Sequence, residues 1–458
     1  WLFKIGMRTI IESIPTHVTG FINNLRRQLC DRQFSLRHRV RPEDFTRQRQ
    51  LIFPVVMLFV LQKTVKSIQR HLHEFLNELA GDELFEPVTA GAVTHARGKL
   101  KHTAFIELNQ GIVLPSVYGA EQQPSLKRWR GHRLLGVDSS LVRLPRSRTL
   151  VEEFGAVQVT NQLGATGTTY AQARMSVLYD LLNRIGLEGR LESSVVGEVD
   201  LAIEQLRQAQ PGDVLVNDRG FTGYTYLAWH HHLGLDYLAR CSSGSFAAAQ
   251  ELFRLNRAGR SRVVRLLAPM DEKAHLSALG LPLELTVRFV SVRLPTGQLE
   301  VLATSLLEEQ RYPTQEFLSV YHCRWNHETF YAMMKGRLDL ENFSGQTPEA
   351  VRQDFFAALL LCNVESVLTQ SAGQVLSEQS ATDQHPKQVN RAVAYHALKD
   401  QLLDLLYSEL PVEQVIEKLQ RMFTGAAVAV RPERKPPRPK LSLYRSYHFQ
   451  RRVKKIVF

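Results

Sequence analysis

The sequence predicts an α/β fold with a mixed β-sheet that carries acidic residues along one edge. Two short apolar runs, 134–137 and 214–216, are each followed by an aspartate, Asp138 and Asp218. Segment 175–191 alternates apolar and polar residues around a central turn, which is typical of a β-hairpin. Because short apolar runs are typical of buried strands, both aspartates are expected near strand C-termini, where open α/β sheets bind ligands. The alternative for each aspartate alone is a turn cap.

The other elements follow in chain order. Residues 1–125 are predicted to be helical, with helices over 55–79 and 90–108, the second carrying Arg97, Lys99 and Lys101 outward. Short basic helices are typical of a DNA-binding bundle, and a plain helical cap is the alternative. The next predicted elements are strand 133–145, the two strands of 175–191, helix 199–208, strand 214–218, helix 226–232 and strand 235–240. This β-β-β-α-β-α-β order is the one that an RNase H-like fold requires.

A long segment separates Asp218 from the next helix. Its apolar patterning predicts a β-rich insertion over about 243–303, with strands at 262–267, 283–294 and 298–304. Helices are then predicted over 314–338 and 351–368, followed by a polar loop over 371–385. The predicted domains are a helical DNA-binding domain (1–125), an RNase H-like catalytic domain (126–370) and a C-terminal helical region with a basic tail (371–458).

The charge of the chain favours a polyanionic partner. The formal net charge is +12, and residues 24–50 contain eight arginines. Residues 431–458 contain ten Lys or Arg against a single acid, Glu433. A solvated tail is the ordinary explanation of such a run, and contact with nucleic-acid phosphates is the functional one.

Cysteine usage and hydropathy point to a reducing cytoplasm. The four cysteines are scattered without a CxxC pair, which argues against a zinc ribbon and a disulfide framework. The longest apolar run, near 51–61, is too short to span a bilayer. His230, His231 and His232 cannot all bind one metal ion, because consecutive helical residues point about 100° apart.

Four residues of one predicted helix form a functional pattern. Tyr321, Arg324, Glu328 and Lys335 lie at offsets −7, −4, 0 and +7 from the glutamate, so a single helix would present them along one stripe. Alone, such a stripe is most simply a solvated face with an Arg–Glu pair. Together with Asp138 and Asp218, it predicts three carboxylates that bind divalent metal beside cations that bind phosphate.

The same residues resemble the DDE transposases of the bacterial insertion-sequence 4 group. The catalytic signature of that group is Tyr, two residues, Arg, three residues, Glu, six residues, Lys, and the four residues above match it without a gap. The resemblance covers about residues 50–365. Its supporting segments are the Asp218-Arg219-Gly220-Phe221 motif, the strand 302–306, the Arg324-Trp325 pair and the helical region 92–109.

The first aspartate is where the chain departs from the family pattern. Many members have glycine after this aspartate, whereas Asp138 is followed by Ser139-Ser140. Asp138 is the expected residue, and Asp180 is the alternative.

The resemblance implies a transposase that cuts DNA at the element ends and joins the 3′-OH to target DNA. Two Mg²⁺ ions, for which Mn²⁺ would substitute, would be held by Asp138, Asp218 and Glu328. Tyr321, Arg324 and Lys335 would contact DNA. Arg240 is a further candidate for DNA contact, with a surface ion pair as the alternative. A homodimer on synapsed ends, acting on the cytoplasmic nucleoid, is also implied.

Three questions stay open at the level of sequence. A DDE nuclease or resolvase that cleaves without strand transfer is one rival function, and a catalytically inactive DNA-binding repressor or domesticated remnant is another. Some members of the resembled family stack an insertion tryptophan on a flipped base, but none of the four tryptophans lies in this insertion. Phe246, Phe253 and Phe289 are the aromatic alternatives, and each is also a candidate core residue.

Overall fold

The fold combines a mixed β-sheet with a large set of helices. The structure is a computed structural model in which residues 16–47, 50–81, 87–160 and 166–431 are described. Two compact units result: a helical unit (Trp1–Pro124, Arg143–Gln172 and Met333–Phe458) and a sheet unit (Ser125–Val142 and Ala173–Ala332). The basic C-terminal tail after residue 431 lies outside the described residues.

The described strands, in chain order, are β1 (Leu134–Arg143), β2 (Ala156–Thr160), β3 (Thr166–Asp180), β4 (Ile185–Ser193), β5 (Val214–Asn217), β6 (Asp236–Arg240), β7 (Ser261–Leu267), β8 (Glu284–Arg293), β9 (Leu299–Thr304), β10 (Lys387–Gln388) and β11 (Val428–Ala429). The described α-helices are α1 (Thr16–Cys30), α2 (Arg32–His38), α3 (Phe53–Leu61), α4 (Ile68–Ala80), α5 (Ala90–Arg97), α6 (Thr103–Leu108), α7 (Leu114–Tyr118), α8 (Arg148–Phe154), α9 (Glu198–Leu206), α10 (Tyr224–His232), α11 (Ala247–Leu255), α12 (Lys273–Ala278), α13 (Phe317–His322), α14 (Trp325–Gly336), α15 (Pro348–Gln379), α16 (Arg391–Asp400), α17 (Leu402–Leu406) and α18 (Val412–Gly425).

The sheet has the strand order β4-β3-β1-β5-β6-β9-β8-β7, and β2 pairs with the N-terminal half of β3. β1, β5 and β6 are parallel neighbours, whereas β3–β4 and β6–β9 are antiparallel. All four residues of β5 are buried, as expected for a central strand that is covered on both faces. The mixed α/β architecture is confirmed, and the predicted β-β-β-α-β-α-β elements are present with α8 and β2 inserted after β1, which is consistent with an RNase H-like core.

The predicted insertion extends this sheet. β7, β8 and β9 form an antiparallel meander, and β9 pairs with β6 through Leu238↔Thr304. Its apolar face packs with α10 and α11 around Phe289, which is fully buried. Phe289 is therefore a core residue and cannot stack on a DNA base without unfolding this layer.

A buried arginine ties the insertion to the segment that leads into α13. Arg288 of β8 is fully buried and donates to the carbonyl oxygens of Tyr312 (2.8 Å) and Leu306 (3.4 Å). It also donates to Thr314 Oγ1 at 2.8 Å. Since a buried cation is costly unless its donors are satisfied, these bonds fix the connection between β9 and α13.

The helical unit is organised around α15. This helix of 32 residues is the one described helix that is long and apolar enough to span a membrane, and 72% of its most apolar window is buried. It also buries Asp354, which accepts from Arg97 at 2.7 Å and lies 3.8 Å from Lys63 Nζ. Burial acts to raise the pKa of Asp354, but Arg97, Lys63 and Ser344 together hold that pKa below its usual value. α15 is thus a core helix of this unit.

Several predicted elements are corrected by the structure. Arg97 was expected on an outward face, but it is buried against Asp354. The helices predicted over 55–79 and 90–108 are each two helices, with Ser67 capping α4 and the chain turning after Gly98. The loop predicted from residue 371 is wrong as far as Gln379, because Ala372 and Leu376 continue the buried stripe of α15. α8 and β2 were not predicted.

The histidine triplet lies at the end of α10. His230 is fully buried and its Nδ1 lies 2.8 Å from the carbonyl oxygen of Tyr226, whereas His231 and His232 are exposed. The three side chains therefore do not converge on one point. Burial lowers the pKa of His230 to about 4, because charging the imidazole in the core is unfavourable.

This buried imidazole should make the stability of the protein sensitive to acid. The folded-state pKa lies below the unfolded value of about 6.5, so the contribution of His230 is present above pH 6.5 and is lost as the pH falls toward 4. The substitution His230→Asn keeps a hydrogen-bond donor for the Tyr226 carbonyl oxygen. It should make the fall in unfolding free energy between about pH 7 and pH 4.5 smaller by about 2 kcal/mol. Urea unfolding at both pH values measures this, with the exposed His231→Asn as control. An equal acid sensitivity in all three proteins would contradict it.

Candidate active site

Asp138 lies in the middle of β1 and its main chain is held from two sides. Its carbonyl oxygen accepts from Ser176 Oγ at 3.1 Å and from Tyr331 Oη at 2.6 Å. Its carboxylate accepts from the backbone N–H of Ser139 at 2.8 Å. β1 continues to Arg143, so the aspartate does not end the strand as the sequence had predicted. Both the backbone and the side chain of Asp138 are consequently fixed.

Asp218 follows β5 directly, at the position that matches Asp138. The parallel register pairs Leu134 with Val214, and four further residues on each strand lead to Asp138 and Asp218. Neighbouring strands are about 4.8 Å apart, so this register brings the two aspartates to the same edge of the sheet. Asp218 also caps the short 3₁₀ turn Arg219–Phe221 by accepting from the Arg219 N–H at 2.8 Å.

Arg324 connects Asp218 with Glu328. Its Nη2 donates to Glu328 Oε1 at 2.8 Å, and its Nη1 lies 3.8 Å from Asp218 Oδ2. The guanidinium is almost completely buried, and its Nε is a buried donor without a hydrogen-bond partner among the described residues. One cation thus serves two of the three predicted carboxylates.

The tetrad does not lie on one continuous helix, which corrects the sequence prediction. α13 ends at His322 and α14 begins at Trp325. Between them the chain makes tight bonds from Arg324 N to the Tyr321 carbonyl (3.1 Å) and from His327 N to the Arg324 carbonyl (2.9 Å). These i→i−3 bonds form a tight 3₁₀-type turn. As a result, Tyr321 and Arg324 do not continue the regular face of α14.

Tyr321 is directed at the second aspartate. Its hydroxyl donates to Asp218 Oδ1 at 3.2 Å, and the ring is buried. Burial raises the pKa of Tyr321 to about 12, so the phenol keeps its proton at neutral pH and remains a donor. The fourth member, Lys335, belongs to the helical unit, where burial lowers its pKa and the nearby Glu341 opposes that shift.

Arg240, the further candidate for DNA contact, forms a bidentate ion pair. Its Nε and Nη2 donate to the two carboxylate oxygens of Glu300 at 2.6 and 2.5 Å, and Glu300 is fully buried. Its Nη1 faces Asp218 Oδ1 at 3.8 Å. Arg240 and Arg324 therefore place two guanidinium groups beside Asp218.

The alternative first aspartate, Asp180, has a structural place. It is fully buried and accepts from the backbone N–H groups of Leu182 (3.0 Å) and Asn183 (2.9 Å), which closes the β3–β4 turn. Such a pattern is typical of a turn-capping aspartate. The charge of Asp138, in turn, interacts with those of Asp218 and Arg324.

Sequence reasoning missed three side chains and one glycine that shape this site. Tyr331 donates to the Asp138 carbonyl and lies one helical turn after Glu328. That spacing from Glu328 is visible in the sequence and could have identified it. His327 is fully buried and stacks on Tyr331 and Tyr179. A Cβ at Gly136 would lie 3.1 Å from His327 Nδ1, so the glycine permits α14 to approach β1 closely. Glu198, the third, lies beside Ser139 and is considered below.

The electrostatics around Asp138 suit a hard cation. Burial raises the pKa of Asp138 to about 6, and the charges of Glu198 and Asp218 act in the same direction. Carboxylate oxygens are the ligands that Mg²⁺ prefers, so the donor chemistry fits a divalent ion. Among the described residues, no three His, Cys, Asp or Glu side chains are already close enough to hold a metal. Arg324 lies between two of the carboxylates instead.

Comparison with known families decides the identity of this region. The family described as "Transposase DDE domain" matches residues 129–364, which is just over half of the chain and includes both aspartates and Glu328. The chain belongs to this transposase family. It is therefore a DNA transposase, and DDE transposases are typically dependent on a divalent metal.

Solved structures and curated sequences give two further comparisons. Among solved structures, a similar one is the cryo-EM structure of the piggyBac transposase synaptic complex with hairpin DNA. The identity is 10%, the TM-score is 0.43, and the match covers 93% of this chain and 88% of the other. No curated protein sequence matches the transposase.

The two candidate first aspartates should respond oppositely to substitution. Because the pKa of Asp138 is raised in the folded state, its favourable contribution is present below about pH 4 and is lost as the pH rises through 6. In EDTA, Asp138→Asn should therefore stabilise the transposase by about 2 kcal/mol near pH 7 and have little effect near pH 4.

Asp180→Ala should destabilise the same protein by about 1–2 kcal/mol at both pH values, because two backbone donors lose their acceptor. Urea unfolding in EDTA measures both changes. Destabilisation by Asp138→Asn near pH 7 would show that its carboxylate is a structural acceptor instead.

Proposed function

We propose that this transposase is of the insertion-sequence 4 type, cutting DNA at its element ends and joining the freed 3′-OH to target DNA. The observation that carries the proposal is the matched placement of Asp138 and Asp218 on parallel neighbours β1 and β5. Glu328 joins them through Arg324, which contacts both Asp218 and Glu328. In this proposal the three carboxylates are the catalytic residues.

The three carboxylates are proposed to hold the metal ions. Asp138, whose main chain and side chain are both held, would bind Mg²⁺ together with Asp218 and Glu328. When bound, these ions would neutralise charge at the phosphorus and supply an activated water. Mn²⁺ is expected to substitute for Mg²⁺, because both prefer oxygen ligands.

Opening of the Arg324–Glu328 ion pair is a requirement of this assignment. The pair leaves Glu328 bound to a guanidinium at 2.8 Å. A DNA phosphate offers Arg324 the same bidentate geometry as a carboxylate, so exchange of Glu328 for phosphate releases the glutamate without leaving the cation unpaired. Substrate binding and completion of the carboxylate trio are then one event.

The chain itself supplies the groups that orient the reacting phosphate. Arg324 and Arg240 carry two positive charges beside Asp218. Tyr321 keeps Asp218 oriented by donating to Oδ1, and it remains protonated at neutral pH. Lys335, in the helical unit, is also proposed to contact DNA phosphate. These contacts position the DNA and carry no sequence information themselves.

The chemistry consists of two phosphoryl transfers. In the first, water attacks the phosphorus at the element end, the P–O3′ bond breaks, and a 3′-OH is released. In the second, that 3′-OH attacks a target phosphodiester and displaces another 3′-oxygen. Each step forms one P–O bond and breaks one, so no external energy source is required.

The helical unit is proposed to bind the element ends. Not every N-terminal arginine is available for this, because Arg26 donates to the carbonyl oxygens of Asp404, Leu405 and Leu410 at 2.6–3.0 Å. A groove of about 1090 Å³ in this unit is lined in part by Arg47, His95 and Lys99, and also by the acidic Glu43 and Asp44. We assign the DNA contact to this groove. We propose that the assembly is a homodimer on two synapsed ends.

Removing the third carboxylate should abolish cleavage without removing DNA binding. Glu328→Gln should lower Mg²⁺-dependent nicking of DNA that carries the element ends by about 100-fold or more, because a metal ligand worth several kcal/mol is lost. End binding measured in EDTA should be retained. The exposed Glu308→Gln in the same unit is the control and should cleave normally.

Two other results would lead to different functions. Nicking without any joined product would indicate a nuclease or resolvase. Tight binding of the ends by the unmodified protein, with no metal-dependent cleavage, would indicate a DNA-binding repressor or remnant. Full cleavage by the Glu328→Gln variant would remove the glutamate from the assignment.

A further inference from the structure

Three side chains outside the predicted trio meet next to Asp138. The Ser139 hydroxyl donates to Glu198 Oε1 and accepts from Arg174 Nη1 at 2.8 Å. Arg174 also lies 3.8 Å from Glu198 Oε1, and its Nε is a buried donor without a hydrogen-bond partner among the described residues. The Ser139 hydroxyl, directly after the first aspartate, is thus hydrogen-bonded to a carboxylate and to a guanidinium at the same time.

The backbone of Ser139 passes this constraint to Asp138. Its N–H donates to Asp138 Oδ1 at 2.8 Å, so the orientation of this peptide sets the orientation of the carboxylate. A serine hydroxyl with both an acceptor and a donor partner has little rotational freedom left. The departure from the family's glycine at this position therefore adds a contact network that a glycine cannot make.

Glu198 is held in place by the helix that it begins. It is the first residue of α9, and Gln205 on the same helix is fully buried and accepts from Ser176 Oγ at 2.5 Å. The single proton of the Ser176 hydroxyl is shared with the carbonyl oxygen of Asp138, which lies 3.1 Å from Oγ. Helix α9 therefore acts on Asp138 by two routes. Gln205 reaches the main-chain carbonyl of Asp138 through Ser176, and Glu198 reaches the Asp138 carboxylate through Ser139.

Glu198 also lies close to the second aspartate segment. A Cβ built on Gly220, two residues after Asp218, would be 4.0 Å from Glu198 Oε2. The Glu198 side chain is 39% exposed, so its charge faces solvent as well as Asp138. Its negative charge thus stands between the segments that carry the two aspartates.

We propose that Glu198, acting through Ser139, is a positioning residue that orients the Asp138 carboxylate and adds negative charge for a divalent cation there. The inference rests on the proposed function, because it assigns Asp138 to metal binding. A purely structural role would make Glu198 the counter-ion of Arg174 and nothing more. The two roles differ in one respect: only the positioning role changes how tightly Asp138 and its neighbours bind a divalent ion.

The test compares metal affinity in four variants of the full chain. Glu198→Gln removes the charge and keeps an acceptor, Ser139→Ala removes the hydroxyl, and Ser139→Thr restores it. Glu204→Gln is the matched control, since Glu204 is exposed on the same helix and pairs only loosely with Arg207 at 3.9 Å. Calorimetric titration of Mn²⁺ without DNA is one readout, and the Mg²⁺ concentration for half-maximal nicking is the other.

Glu198→Gln and Ser139→Ala should each weaken Mn²⁺ binding and raise the half-maximal Mg²⁺ concentration by about tenfold, as removal of a metal ligand's outer partner does. Ser139→Thr and Glu204→Gln should match the unmodified protein. End binding and melting temperature in EDTA should be unchanged throughout. Equal metal affinity in Glu198→Gln and Glu204→Gln would overturn the inference.

The failure of the proposed function would look different from the failure of this inference. If Asp138→Asn also left Mn²⁺ binding unchanged, the metal assignment itself would be wrong and the inference would fall with it. If Asp138→Asn abolished binding while Glu198→Gln had no effect, only the positioning role would be lost.

Discussion

The parallel pairing of β1 with β5 is the constraint on which the site depends. The register of Leu134 with Val214 sets two aspartates at matched positions, and every other group is arranged around them. A slip of one residue would turn one aspartate to the opposite face of the sheet. The fully buried β5 makes such a slip unfavourable, because its apolar side chains would lose their packing. The register of β1 with β5 therefore determines both the packing of β5 in the core and the placement of the two aspartates.

Arg324 shows how a site can keep carboxylates together before any metal or DNA arrives. Like charges at the edge of the sheet repel, and burial makes the cost larger, as the raised pKa of Asp138 indicates. A single guanidinium that contacts both Asp218 and Glu328 offsets part of that repulsion. Arg324 lies at the interruption between α13 and α14.

The sequence carried the elements on which the proposed catalytic residues lie and much of the sheet. The second-aspartate motif, the Arg–Glu spacing and the succession of strands along the chain could be predicted because each depends on local patterning over a few residues. The helix break at Cys323-Arg324 could not, since every residue there is compatible with a helix and only the i→i−3 bonds reveal the turn. Arg97 was misplaced because its partner Asp354 is 257 residues away. Glu198 was missed for the same reason, as its neighbour Ser139 is 59 residues distant.

Arg288 links the insertion to the segment that follows β9. Since its guanidinium holds the carbonyl oxygens of Leu306 and Tyr312 and the hydroxyl of Thr314, the strand meander and the start of the glutamate segment are clamped together. The meander cannot be excised as a detachable module, because its removal would leave that segment without its anchor. A displacement of the meander would therefore also displace the start of the segment that leads into α13, because Arg288 bonds both.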